Sequence, residues 1–246
     1  MLESLHPPGP TRPVAELLSD LRPRERAGAD RPFTYLNMVS TVDGRAGIGG
    51  RSNALGDEAD LELLLELRTL ADAVLIGPHT VAVEGYDRLV RAPARRERRV
   101  AAGQAADPVA VLVSRRLDIP WDAGLFAAPE QPVLVYTASD GEPPPVAAQV
   151  EVVRLPSVTL PDVLGDLRRR GVRALLCEGG PTLNRTLFAD GLLDELFLTV
   201  APLVTAGLAE PAIVAGGPLD PPAGLALRWV LRYGDELFLR YAVAHR

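Results

Sequence analysis

LLCEGGPTLNRTL, Leu175 to Leu187, begins as an unbroken apolar run, ends that run on a carboxylate, takes two steps without side chains and resumes with helical spacing. A short continuous apolar run is typical of a parallel strand covered on both faces. Pro181 suits the first position of a helix, where a missing N–H costs little. The segment reads as strand, turn, helix, and that pattern recurs. FTYLNMVS (33–40) is a strand followed by the Gly-rich loop TVDGRAGIGGRSNALG. From Asp57, DEADLELLLELRTLA is a helix, acidic at its start and with arginine late, as the helix dipole favours. AVLIG (73–77) is a strand leading into PHTVAVEG, and PVAVLVS (108–114) and PVLVYT (132–137) are further buried strands. VEVVRL is a shorter strand, and LPDVLGDLRRRG is a helix closed by Gly171.

The tail changes character. DELFLTVAP, AIVAGG and LRWVLRYGDELFLRYAV have no helices between them, and Tyr233-Gly234-Asp235 reads as a hairpin turn. Strand–helix alternation first and antiparallel strands last predict an α/β fold of three layers (α/β/α). Its sheet is mixed and mostly parallel, with antiparallel C-terminal strands. Residues 91–107 are expected as a solvated loop with frayed helix. Residues 1–30, Pro/Arg-rich around a helical pattern at 14–21, are expected as an appended arm, and 31–246 as a single domain.

Composition narrows the chemistry. The 246 residues are 47% hydrophobic and 24% charged, which gives ample apolar mass for a core. A net charge of −6 argues against nucleic acid as a partner. All 26 basic residues are arginine. Without lysine there is no Schiff-base enzyme and no Walker-type phosphate loop. Only His79 among the three histidines is internal, so a hydrolytic triad is a poor fit. The single cysteine, Cys177, allows no intrachain disulfide and no Cys-rich zinc site. With no apolar leader and no run long enough to cross a membrane, a cytoplasmic protein without membrane partners is expected.

In open α/β sheets, ligands collect beyond the carboxyl ends of the parallel strands. Those ends are Ser40 with the loop to Asp43-Gly44, Gly77 to Thr80, Ser114-Arg115-Arg116 and Glu178 to Thr182. Gly179 and Gly180 permit close approach of a ligand, and the amides near Thr182 and Leu183 face outward at the positive end of a helix dipole. Their other reading is a tight turn that needs glycine for geometry alone. Serine and arginine after a strand suit a phosphate monoester, the feature that separates NADPH from NADH. Asp60, early in the long helix, could bind the N–H edge of a heterocycle, or simply favour the helix N-terminus.

MVSTVDGRAG, LRTLADAVLIGPHTV and LLCEGGPTLNRTLFADGLLDELFLTVAP together resemble the reductase domain of riboflavin biosynthesis, over about residues 33–243. VEGYDRL resembles the stand-alone form of that family. The resemblance implies a dihydrofolate-reductase-like fold, a homodimer and NADPH-dependent reduction of a phosphorylated ribosylamino-pyrimidine. The catalytic proton is expected from Glu178, Asp60 or an ordered water, and Asn37, Ser40, Asp43 and Asp60 are expected as substrate contacts. Cofactor contacts are Gly44, Gly77, Thr80, Val81, Ser114, Arg115, Gly179, Gly180, Pro181, Thr182 and Leu183. The family's deaminase half is absent, since one cysteine cannot supply its zinc site. His79 stands where a small residue is common, and Pro78 removes an amide from that turn. A dihydrofolate or dihydropterin reductase, a reductase of another substrate on the same fold, and a catalytically silent nucleotide-binding protein remain alternatives.

Overall fold

The structure is a computed structural model that describes residues 1–207 and 210–244. The chain divides into two units, one formed by 1–22, 34–66 and 179–246, the other by 23–33 and 67–178.

The second unit is a parallel sheet with strand order β8-β4-β5-β6-β7. These are β4 (Ala73–Ile76), β5 (Val109–Val113), β6 (Pro132–Thr137), β7 (Gln149–Arg154) and β8 (Ala174–Cys177). Every side chain of β4 and β8 is buried, as expected of strands covered on both faces. Helix α5 (Leu160–Arg169) begins at Thr159, whose hydroxyl caps the Asp162 amide. It buries Leu160, Val163, Leu164 and Leu167, the i, i+3, i+4, i+7 spacing of a core-facing stripe.

Residues 91–107 are more ordered than a solvated loop. They contain α4 (Pro93–Ala101), and Arg99 on it is 1% exposed. Its guanidinium donates to the carbonyls of Arg68, Thr69 and Ala71 at the C-terminal end of α2 (Glu58–Leu70), at 3.0, 3.0 and 2.5 Å, and also to Ala105 and Ala106. A helix leaves its last carbonyls without internal partners, and Arg99 supplies several donors at once. The arginine is buried because those carbonyls are.

The first unit is mostly antiparallel, with order β2-β1-β10-β11-β9-β3. Its strands are β1 (Leu2–His6), β2 (Pro8–Arg12), β3 (Phe33–Thr41), β9 (Glu195–Ala201), β10 (Leu225–Tyr233) and β11 (Glu236–Val243). Only β3 and β9 pair in parallel. The β10–β11 hairpin turns at Gly234-Asp235, where Gly234 has φ +55°. Residues near the N-terminus pair and pack: β1 bonds to β10, α1 (Val14–Leu17) follows, and Leu2, Leu18 and Leu21 are buried.

AIVAGG, read as a strand, is instead a loop with one isolated bridge, Arg45 to Ala212. It is held to α6 (Pro181–Ala189). Asn184 Nδ2 donates to Ile213 O at 2.7 Å, and the Ala215 amide donates to Pro181 O. These partners satisfy backbone groups that a ladder would otherwise have taken. Parallel strands with interspersed helices, and antiparallel strands at the C-terminus, agree with the expected fold class.

Candidate functional site

In the second unit, Glu178 follows β8 and is 9% exposed. Two partners fix it. Arg68, in the last turn of α2, donates from Nε to Oε1 and from Nη2 to Oε2, both at 2.7 Å. The Tyr86 hydroxyl donates to Oε2 at 2.5 Å. Gly85, left-handed at φ 67°, ends α3 (Pro78–Glu84) and turns the chain just before Tyr86. Burial pulls the Arg68 guanidinium down, but the charge and hydrogen bonds of Glu178 leave it above its ordinary value. Burial, then the Glu178 charge, pushes the Tyr86 phenol up. Sequence reasoning assigned roles to neither Arg68 nor Tyr86. Arg68 read as a dipole-favoured residue, and VEGYDRL only as a family mark.

The carboxyl ends of β4 and β5 open on a cleft of about 510 Å³ lined by Pro78, His79, Ser114, Arg115, Arg116 and Asp118, among others. Ser114 Oγ accepts the Asp118 amide at 2.9 Å, closing the turn that presents Arg115 and Arg116 to solvent. Gly77 precedes α3, whose first backbone bond runs from the Val81 amide to Gly77 O. Thr80 is partly exposed, and Val81 points into the core.

In the first unit, Gly179 has φ +89°, and a Cβ there would lie 3.3 Å from Met38 Sδ, so glycine is required locally. Gly180 has φ −82° and ψ −177°, which imposes no such demand. The first backbone bond of α6 runs from the Asn184 amide to Gly180 O. Pro181 has no N–H, and the amides of Thr182 and Leu183 have no helical acceptor.

Asp43 serves its own loop. It accepts from Thr41 Oγ1 at 2.6 Å and from the Thr205 and Ala206 amides, and these bonds, Thr41 foremost, hold its carboxyl below the ordinary value. Gly44, at φ +81°, makes the turn that follows. Asn37 and Ser40 on β3 are buried. Asp57 begins α2 by accepting the Ala59 amide at 2.7 Å. Asp60, one turn on, is half-buried, and Gly56 lacks the Cβ that would strike its Oδ2. Burial raises the Asp60 carboxyl; the nearby Thr199 hydroxyl opposes the rise, and the Asp57 charge adds to it. Glu236, 5% exposed, is pushed up to about 8 by burial and by Asp57. Asp60 Oδ1, Thr199 Oγ1, Asn37 Oδ1 and Glu236 Oε2 are buried and have no hydrogen-bond partner among the described residues. No helix among the described residues is long and apolar enough to cross a membrane.

The sequence matches the family described as RibD C-terminal domain over residues 32–238. The 2,5-diamino-6-ribosylamino-4(3H)-pyrimidinone 5′-phosphate reductase of Methanothermobacter thermautotrophicus is 29% identical over 221 residues, 87% of this chain and 99% of that one. A pyrimidine reductase-like protein of Corynebacterium diphtheriae has the same fold, with TM-score 0.78 at 23% identity over 96% of this chain and 100% of that one. The diaminohydroxyphosphoribosylaminopyrimidine deaminase/5-amino-6-(5-phosphoribosylamino)uracil reductase of Thermotoga maritima gives 0.69 at 21% identity, over 87% of this chain but 57% of that longer one. A match across most of its length, on a dihydrofolate-reductase-like fold, places the chain in the riboflavin pyrimidine reductase family.

Proposed function

We propose that the chain is an NADPH-dependent oxidoreductase that reduces a ribosylamino-pyrimidine 5′-phosphate in riboflavin biosynthesis. The observation that carries the reading is the family match over residues 32–238. Bound NADPH would supply a hydride to C1′ of the sugar; the C1′–O4′ bond would break and the ring oxygen would take a proton from water, which leaves an open ribityl chain.

The donor set suits that cofactor. Arg115, with Ser114 and Arg116 beside it, offers guanidinium and hydroxyl donors to a 2′-phosphate in the cleft they line. Thr182 and Leu183, in the first turn of α6, offer amides without a helical acceptor to the diphosphate, and Gly180, not needed for its φ, leaves room for close approach. Gly44, Gly77, Thr80 and Val81 complete the cofactor contacts, Val81 through backbone alone. On the substrate side, Asn37, Ser40, Asp43 and Asp60 are the contacts. The Glu178 carboxyl is held by three hydrogen bonds from Arg68 and Tyr86, so its role is to orient.

The test is NADPH oxidation with ribosylamino-pyrimidine phosphates and with 7,8-dihydropterin, alongside binding titrations. Wild type should bind NADPH at least about tenfold more tightly than NADH. Arg115→Ala should weaken NADPH about tenfold and leave NADH unchanged. Equal affinity for the two coenzymes would remove the 2′-phosphate assignment. Turnover of the pterin alone would replace the substrate.

A cytoplasmic homodimer belongs to the same proposal. On β9 and β11, Leu198 faces Leu239 and Val200 faces Leu237 in a row that is only partly covered. Light scattering should give twice the 26.3 kDa chain mass; a single-chain mass would refute the dimer.

A further inference from the structure

We propose that His79 is a coenzyme-specificity residue: from the α3 side of the cleft it donates to the 2′-phosphate that Arg115 and Arg116 meet from the other side. The inference rests on the reductase reading above and deepens it at the adenosine end of the cofactor.

Three observations carry it. The first is placement, all of it within the second unit. The cleft of about 510 Å³ has two walls. The turn after β5 supplies Arg115, Arg116 and Asp118, and α3 supplies Pro78, His79 and Ala82. Proline and alanine carry no side-chain donor, so on the α3 wall the imidazole is the side-chain donor among the described residues. The second is want of partners. His79, Arg115 and Arg116 are exposed, and none of their side chains makes a hydrogen bond or ion pair with a described residue. Asp118 lines the same cleft and still pairs with neither arginine. The Ser114 hydroxyl, by contrast, is spent on its own turn: it accepts the Asp118 amide at 2.9 Å and donates to the Asp118 carbonyl at 3.2 Å. Other arginines are tied down, Arg68 to Glu178 and Arg88 to Asp107. In a chain of net charge −6, unpaired cations gathered at one cleft point to an anionic ligand.

The third is chemistry. The two guanidiniums are fixed forks, and imidazole donates from whichever ring nitrogen carries the proton. A phosphate monoester presents three outer oxygens. Two arginines on one side leave the far side of that group to a donor across the cleft. NADH has only a hydroxyl there, with no charge for such a set to meet. His79 therefore widens the discrimination between the coenzymes and does not tighten both alike.

The experiment titrates wild type, His79→Ala, His79→Gln and His79→Arg by calorimetry with two pairs of ligands that differ only at the ribose 2′ position. The pairs are adenosine 2′,5′-bisphosphate against 5′-AMP, and NADPH against NADH. His79 is exposed, so the variants keep the fold. His79→Ala should weaken the bisphosphate and NADPH about fivefold and change 5′-AMP and NADH less than about twofold. His79→Gln, which keeps an N–H donor, should recover part of the loss, and His79→Arg all of it. An equal loss on all four ligands would put His79 against the adenine and overturn the assignment. No loss on the phosphorylated pair also overturns it, and continued turnover with NADPH in that case leaves the reductase reading standing. A wild type that binds neither 2′-phosphorylated ligand overturns both.

Discussion

Arg68→Met is expected to destabilise the protein by about 3–5 kcal/mol and to lower turnover at least about a hundredfold. The Arg68 and Glu178 side chains are 13% and 4% exposed, so the change strips a buried carboxylate of a bidentate cation. Removing one partner of a buried ion pair is costly because the remaining charge is left without compensation. Tyr86 softens the loss with one hydrogen bond, but it adds no positive charge. Methionine keeps most of the stem's volume, so the cost is electrostatic and not a cavity. Turnover should fall further than stability alone dictates, because an untethered Glu178 can adopt other rotamers and misorient whatever it faces. Urea denaturation and reductase turnover measure the two effects. The double variant Arg68→Met/Glu178→Leu separates them: it should recover much of the stability, since an apolar pair can replace a buried ion pair, and none of the activity. A single variant that keeps wild-type stability would show that the triad is more exposed than its geometry indicates. A double variant that recovers activity would remove Glu178 from the site.

What the sequence revealed and what it hid follow from the range of each interaction. Buried strands and amphipathic helices advertise themselves locally, and 73–77, 108–114 and 132–137 lie close to the observed β4, β5 and β6. Gly179 was ambiguous between ligand approach and turn geometry, and its φ of +89° makes the geometric need real. AIVAGG misled because apolar composition does not say whether the backbone partner is a strand or, as here, a helix through Asn184. Arg99 looked like one more solvated charge, because the α2 carbonyls it bonds lie about thirty residues away. Arg68 and Glu178 are separated by 110 positions, and no local pattern links them. Thr199 and Glu236 were missed for the same reason: alternation marks Thr199 as facing a layer but cannot say that Asp60 lies across from it.

Glu236→Gln should make the protein more stable at high pH and flatten its pH dependence between about 5 and 8. The carboxyl moves from an ordinary value of 4.5 to about 8 in the folded chain, first through burial and then through Asp57 and Asp60. Between those values the folded state holds a proton that the unfolded state has released. Stability therefore falls as pH rises through that window and levels off above it. The full shift bounds the effect at roughly 5 kcal/mol, and relaxation of the hairpin tip should reduce it to about 1–3 kcal/mol. Glutamine keeps the shape of the protonated acid and cannot ionise, so it should match wild type near pH 5 and exceed it by that margin at pH 8.5. Some slope should persist in the variant, because Asp60 is also raised and acts with the same sign. Asp43, held below its ordinary value, acts near and below pH 4 and does not enter the window. Urea melts at half-unit pH steps are the measurement. Parallel curves for the two proteins would mean that Glu236 ionises without cost, and that the hairpin tip at Tyr233 to Glu236 admits water to the carboxyl.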